Sequence, residues 1–370
     1  MPDMLLAIGL MSGTSLDGID VACLGTDGDA RIARGAFRTY AYDEGVRDML
    51  RRAMSDAREL VDRQARPASL AACERAITAR HAEAVRRFCA ETGTAVAAID
   101  IIGFHGQTVL HRPERGLTVQ LGDGPGLARS LGRPVVYDLR AADMAGGGQG
   151  APLVPVYHRA LASRLGWGPV AMVNIGGVAN ITAIAEDGSL IAFDTGPGGA
   201  LVNDWCERHT GAAMDRGGAL AASGKPDATV LAALMASDYF ASPPPKSLDR
   251  NAFTLSSVEG LSPADGAATL THFTAHAIAR AAGHLPERPS AWIICGGGRH
   301  NGMLMSLLRQ YLAPLGGRVA SAEEAGFDGD AMEAEAWAYL AVRSLRGLAI
   351  SFPLTTGVRE PLTGGVLCRP

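Results

Sequence analysis

Three stretches of this 370-residue chain have the composition needed to surround a polyphosphate: SGTSLDG at 12–18, DTGPGG at 194–199 and CGGG at 295–298. Glycine lets backbone N–H groups approach an anion closely, and turn conformations aim successive N–H groups into one concavity. Ser12, Thr14 and Ser15 add hydroxyl donors. Any one stretch is also compatible with a tight turn or a helix cap. All three end apolar runs, however, and together they favour a nucleotide.

Other chemistries are poorly supported. The nearest Walker-like segment, SGKP at 223–226, has Pro226 where a hydroxyl is needed, and no Gly-x-Gly-x-x-Gly opens a helix after the first strand. Protein-kinase signatures are absent, and GTSLD carries Asp17 where a serine-hydrolase elbow needs glycine. The six cysteines are scattered without C-x-x-C or zinc-type spacing, which is the pattern of reduced, buried thiols.

The elements that must position these loops repeat. An apolar run at 5–10, the glycine-containing turn and a second run at 19–24 read as a hairpin with a polar tip. VAMVNIGGVANITAI at 170–184 echoes that pattern, and a further strand at 190–193 runs into DTGPGG. Short β-rich runs at 99–104 and 134–139 pass into HGQTVLH and RAADMAGGGQGAP and read as strands followed by functional loops. Helical periodicity covers 44–64, 69–91, 263–282, 301–311 and 330–348, with a strand at 291–295 before CGGG. The expectation is an α/β chain of two related halves with mixed sheets and a cleft between them. Hydrophobic residues at 47% and charged residues at 19% are ordinary for a folded protein. A net charge of −4 argues against a nucleic-acid or anionic-membrane surface. Asp3 in place of a basic leader gives no signal-peptide pattern, so residence in the cytoplasm without membrane insertion is expected.

The ordered series GLMSGTSLDGID, FHGQTVLH, QLGDG, DMAGGGQGAPLVP, NIGGVANIT, FDTGPGGALVND and CGGGRHN resembles the motif series of the anhydro-N-acetylmuramic acid kinases and covers nearly the whole chain. That resemblance implies a duplicated actin-like (ribonuclease H-like) two-domain fold, with one lobe from 1–130 plus about 345–370 and the other from 131–344. It implies ATP and Mg²⁺, a homodimer, and the substrate 1,6-anhydro-N-acetylmuramate, converted to N-acetylmuramate 6-phosphate during peptidoglycan recycling.

By the same resemblance, Ser12, Gly13, Thr14, Ser15 and Gly18 form the first phosphate loop, with Asp17 reaching Mg²⁺ through water or serving only as a turn residue. Gly176, Gly177, Asn180, Gly196 and Gly198 belong to the second phosphate region, and Gly296, Gly297 and Asn301 to the adenosine side. Asp194 is the expected catalytic base because it stands at a strand-to-glycine junction; capping a helix is its alternative. His105 and Gln107 are expected to touch the sugar. Arg140 suits a carboxylate, or forms an ion-pair cluster with Asp138 and Asp143. Glu333 reaches substrate or stands on a solvated helix face. Gly199 replaces the Asn common in the family, with Asn203 as a substitute. Competing readings are another actin-like sugar or carboxylate kinase, or an ATP-binding regulator without catalysis.

Overall fold

The computed structural model describes residues 3–370. Two sheets organise it. The first contains Leu5–Ser12 (β1), Gly18–Thr26 (β2), Ile32–Ala41 (β3), Ile101–Arg112 (β4), Leu117–Leu121 (β5), Val135–Tyr137 (β6) and, from the far end of the chain, Val366–Cys368. The second contains Val170–Ile175 (β7), Val178–Ile184 (β8), Leu190–Pro197 (β9), Ala291–Cys295 (β10) and Arg318–Ser321 (β11).

In the first sheet β1, β2 and β3 form an antiparallel meander, while β4 lies parallel to β1 and β6 parallel to β4. In the second, β7, β8 and β9 form the meander, β10 lies parallel to β7 and β11 parallel to β10. One path is therefore used twice, as the sequence echo implied. This is the duplicated actin-like α/β architecture with mixed sheets.

The chain divides into one unit running to Leu161 and resuming at Ala331–Pro370, and a second unit of Ala162–Asp330. The expected lobe limits, 1–130 with about 345–370 and 131–344, differ from these for two reasons. First, β6 pairs with β4 inside the first sheet. Second, the helix Met332–Leu345 lies on that sheet too. Gly9 and Gly103 are register partners on β1 and β4. A Cβ at Gly9 would stand 1.8 Å from the Ala334 carbonyl oxygen, and one at Gly103 would stand 2.0 Å from that of Trp337. The glycine pair seats this helix against the sheet.

The second unit packs Ile181, Phe193, Trp292 and Ile294 of its sheet against Ala275 and Ile278 of Pro263–Ala281 and Leu304, Leu307 and Leu308 of Gly302–Leu312. Truncating a fully buried aromatic such as Trp292 costs about 3–5 kcal/mol. Elsewhere the elements depart from the periodicity. The helix expected over 44–64 stops at Asp56, because Ala57–Glu59 tightens into a single turn and Leu60 turns extended to enter the core. HGQTVLH is not a loop but the second half of β4, which pairs with β5 after a register shift. Likewise DTGP continues β9 as strand.

Candidate active site

In the first unit, β4 braces the tip between β1 and β2. The Ser12 hydroxyl donates to the Gly106 carbonyl at 3.1 Å, and Gln107 Nε2 donates to the Gly13 carbonyl at 3.0 Å. Both side chains are buried. Thr14, Ser15 and Asp17 are exposed, and the Asp17 side chain makes no hydrogen bond among the described residues. A Cβ at Gly13 would find nothing nearer than 3.7 Å, so protein packing does not demand glycine there. At Gly18 it would stand 2.3 Å from the Tyr40 carbonyl oxygen. That glycine serves the β2–β3 pairing.

His105, buried on β4, packs its ring 4.4 Å from that of Trp337. Its Nε2 accepts from Arg140 Nε at 3.2 Å and lies 3.1 Å from Arg140 Nη2. Burial, with the Arg140 charge second, pushes its pKa well below the usual imidazole value. Arg140 also donates from Nη1 to the Gly150 carbonyl at 2.7 Å. Its own pKa is lowered to about 10 by burial, against the pull of Glu333 and Asp143, so it stays charged.

The proposed Asp138, Arg140 and Asp143 ion-pair cluster does not form. Asp138 pairs with Arg63. Buried Asp143 accepts from the Gly150 N–H at 2.6 Å and the Thr356 hydroxyl at 2.5 Å, which fixes the glycine-rich segment after it. Glu333, in the first turn of its helix, keeps accessible surface, yet desolvation by the surrounding protein raises its carboxyl pKa, with the Arg140 charge opposing.

In the second unit, Asn174, Asn180 and Asp194 are register partners across β7, β8 and β9. Directly opposed residues share a face. The three partly exposed side chains therefore make a polar row on an otherwise apolar sheet. Asp194 caps no helix; Gly199 takes the N-cap of Ala200–Thr210. A crossing segment pins Asp194 instead: its N–H donates to the Lys246 carbonyl at 3.0 Å, and its Oδ2 accepts from the Leu248 N–H at 2.7 Å. Tyr239 donates its hydroxyl to the Asp194 carbonyl at 2.6 Å. Burial raises the carboxyl pKa to about 6, with the Leu248 N–H opposing.

A cavity of about 440 Å³ in this unit is lined by Gly176, Gly177, Gly198, Gly297 and Asn301, so the second phosphate region and the adenosine-side motif meet. Nothing lies within 4 Å of a Cβ built at Gly297, and the nearest atoms at Gly176 and Gly177 are 3.6 and 3.5 Å away. These three glycines leave backbone open to a ligand. Gly196, Gly198 and Gly296 are explained by packing, with Cβ positions 2.7, 2.3 and 2.3 Å from Ala277, Gly176 and Asn174. The DTGPGG amides face inward rather than toward an anion: Gly198 N–H donates to the Gly177 carbonyl at 2.9 Å and Gly199 N–H to that of Gly176 at 2.7 Å. Asn301 caps Gly302–Leu312 through the Leu304 N–H.

The sequence reading missed Thr271 and Thr274, which line this cavity one turn apart on Pro263–Ala281, and the Lys246–Leu248 crossing. Two threonines three positions apart in an apolar helix were the available signal. Nothing local marked PKSL as the partner of Asp194.

A family model described as anhydro-N-acetylmuramic acid kinase matches residues 5–369. A protein of Agrobacterium fabrum bearing that name is 52% identical over 372 residues, covering 100% of both chains. One of Brucella canis with the same name is 52% identical over 373 residues, again at 100% of both. Among solved structures, the (R)-2-hydroxyglutaryl-CoA dehydratase component A of Acidaminococcus fermentans aligns over 91% of this chain and 99% of its own, at 13% identity and a TM-score of 0.47.

Proposed function

The chain belongs to the anhydro-N-acetylmuramic acid kinase family, and from that premise we propose that Asp194 is the base of its reaction. The protein is an ATP-dependent kinase that opens 1,6-anhydro-N-acetylmuramate and phosphorylates the freed alcohol, giving N-acetylmuramate 6-phosphate and ADP for peptidoglycan recycling. One observation carries the assignment of the base: a partly exposed carboxyl on a polar row, held by one backbone N–H, with a pKa of about 6. A base is most effective when its pKa lies near the working pH.

The anhydro sugar has no free 6-hydroxyl. Asp194 therefore takes a proton from water as the water oxygen attacks C1. The C1–O6 bond breaks, its electron pair stays on O6, and O6 attacks the γ-phosphoryl group with ADP leaving. Positioning by the glycine loops supplies much of the remaining catalysis. In the second unit, the open backbone at Gly176, Gly177 and Gly297 is where the nucleotide would approach.

No group of three or more His, Cys, Asp or Glu side chains among the described residues could cage a metal. Kinases hold Mg²⁺ by one or two carboxylates together with water and phosphate oxygens, and a single carboxylate beside the first loop suits that mode. Asp17, exposed on the first loop with its carboxylate uncommitted, is the residue that would face it. When bound, the ion neutralises charge on the phosphates. The family reading also makes the protein a cytoplasmic homodimer; no described helix is long and apolar enough to cross a membrane.

The test is ADP formation with and without the anhydro sugar, run in water labelled with heavy oxygen. Label on the anomeric oxygen of early product, with unlabelled phosphate, is expected. Label in phosphate, or ADP formed equally without sugar, overturns the reading.

A further inference from the structure

Strand β9 lies at an edge of the second sheet, so the backbone groups of Asp194 that turn away from β8 must find partners beyond the sheet. They find two. The Asp194 N–H donates to the Lys246 carbonyl at 3.0 Å, and the Asp194 carbonyl accepts from the Tyr239 hydroxyl at 2.6 Å. Lys246 then joins these two partners to each other, because its Nζ donates to the Tyr239 carbonyl at 2.8 Å. The result is a closed circuit of three residues around the backbone of the base.

The ammonium is held from a second side by aromatic faces. Lys246 Nζ stands 4.7 Å from the centre of the Tyr239 ring and 5.7 Å from that of Phe193, within the range of cation–π attraction. Phe193 is buried and immediately precedes Asp194 on β9. The lysine thus grips the strand that carries the base as well as the turn that carries Tyr239.

The segment around Lys246 has no helix or strand of its own, and Pro243, Pro244 and Pro245 directly before it have no N–H with which to fasten it. Two residues further on, the Leu248 N–H meets Asp194 Oδ2 at 2.7 Å. The charged residues that follow are engaged elsewhere: Asp249 accepts from the Asn251 N–H at 2.7 Å and Arg250 pairs with Asp204 at 3.0 Å. From the packed elements, Arg280 acts on Lys246, whose pKa is lowered by burial and then by that charge, and His284 meets the Phe193 ring edge-on. Among these charged groups it is Lys246 that ties the segment to β9.

We propose that Lys246 is a positioning residue for the reaction: its ammonium, tied to Tyr239, fixes the crossing segment so that the Leu248 N–H holds Asp194 Oδ2 and leaves Oδ1 to take the proton from water. The proposal rests on the reading of Asp194 as the base. A hydrogen bond to the ionised form favours that form, so a loosened segment would let the carboxyl pKa rise further above about 6.

The test uses Lys246→Met, which keeps the aliphatic stem and loses the ammonium, Lys246→Arg, which restores charge and donors, and Tyr239→Phe, which opens the circuit at its other joint without changing charge near neutral pH. In Lys246→Met, kcat should fall about tenfold with KM for ATP and for the anhydro sugar within about twofold, and the acid limb of kcat/KM should move up by about half a pH unit or more. Lys246→Arg should recover most of the loss. Tyr239→Phe should move the limb in the same direction, and the double variant no further than the larger single change, since both residues act through one circuit. A lower Tm with kcat and the acid limb in place assigns Lys246 to stability alone and overturns the proposal, as do shifts that simply add. Carbon NMR of labelled aspartate carboxyls, with the Asp194 signal identified by its loss in Asp194→Asn, separates this from the base reading. If the Asp194 titration moves in Lys246→Met while the activity limb stays, the base reading fails and the positioning of the carboxyl stands. If neither moves and Asp194→Asn is inactive, the base stands and the proposal fails.

Discussion

Leu248 donates its N–H to Asp194 Oδ2 at 2.7 Å, yet burial outweighs that bond and leaves the Asp194 pKa at about 6. A base must be ionised to accept a proton. The kcat/KM for the sugar should therefore fall about tenfold per pH unit below pH about 6 and level off above it. A profile flat down to pH about 5 would remove Asp194 from the proton transfer.

Replacing the base should separate activity from stability. Asp194→Asn should lower turnover by several powers of ten, about 10³ or more, with nucleotide binding nearly intact. The folded pKa of about 6 lies above the ordinary carboxyl value of 3.8. The stability linked to this proton is therefore complete below pH 3.8 and lost as pH rises through about 6. The variant lacks the buried charge, so its Tm should exceed that of wild type by a few degrees, about 2–6 °C, at pH 8 and not at pH 4. Equal Tm values at pH 8 would contradict this.

Two glycines on one loop should behave oppositely. With 3.7 Å clear around a Cβ at Gly13, Gly13→Val should fold with near-native Tm and lose ATP-dependent thermal stabilisation. Gly18→Ala, whose Cβ meets the Tyr40 carbonyl at 2.3 Å, should lower Tm with or without ATP. If ATP still stabilises Gly13→Val as it does wild type, the first loop is only a turn.

Gln107 is a positioning residue, since its amide reaches the ligand side only through the Gly13 carbonyl. Gln107→Met should cost about 1–3 kcal/mol of stability and raise KM for ATP more than it lowers kcat. A drop in kcat at constant KM for ATP would show that the amide acts elsewhere.

Asp143 is a buried carboxylate with two partners far apart in the chain, and Asp143→Ala leaves the Gly150 N–H and the Thr356 hydroxyl without it. The expected loss is about 2–4 kcal/mol, a Tm lower by about 5–10 °C. Thr356→Val removes one partner and should cost less; a milder effect from Asp143→Ala than from Thr356→Val would refute the arrangement.

Both hairpins, the central strands and the long helices were legible because their apolar runs end in glycine or in caps such as Ser262 and Asn301. What was hidden depended on distant partners. The DLRAAD charges suggested a local cluster, but Asp138 and Asp143 bind residues 75 and 213 positions away. Strand β3, IARGAFRTYA, lies on a sheet edge and fully buries only Ile32, so it lacks the continuous apolar run of its neighbours. The DTGPGG composition signalled a phosphate loop, yet its amides turn toward Gly176 and Gly177, a choice fixed by the neighbouring hairpin rather than by DTGPGG itself. Asp194 was found from its place beside glycine; its crossing partner at Leu248 was not.

The glycine pair that seats Met332–Leu345 also sets a schedule for synthesis. The second unit is one continuous stretch, whereas the first lacks its covering helix until the ribosome has passed Leu345. At about 5–20 residues per second, β1 and β4 wait tens of seconds with Gly9 and Gly103 uncovered while everything from Ala162 to Asp330 is made and can fold. The nascent chain thus carries a finished second unit beside an unfinished first one. Chaperone contacts during translation should concentrate on the sheet that was started first.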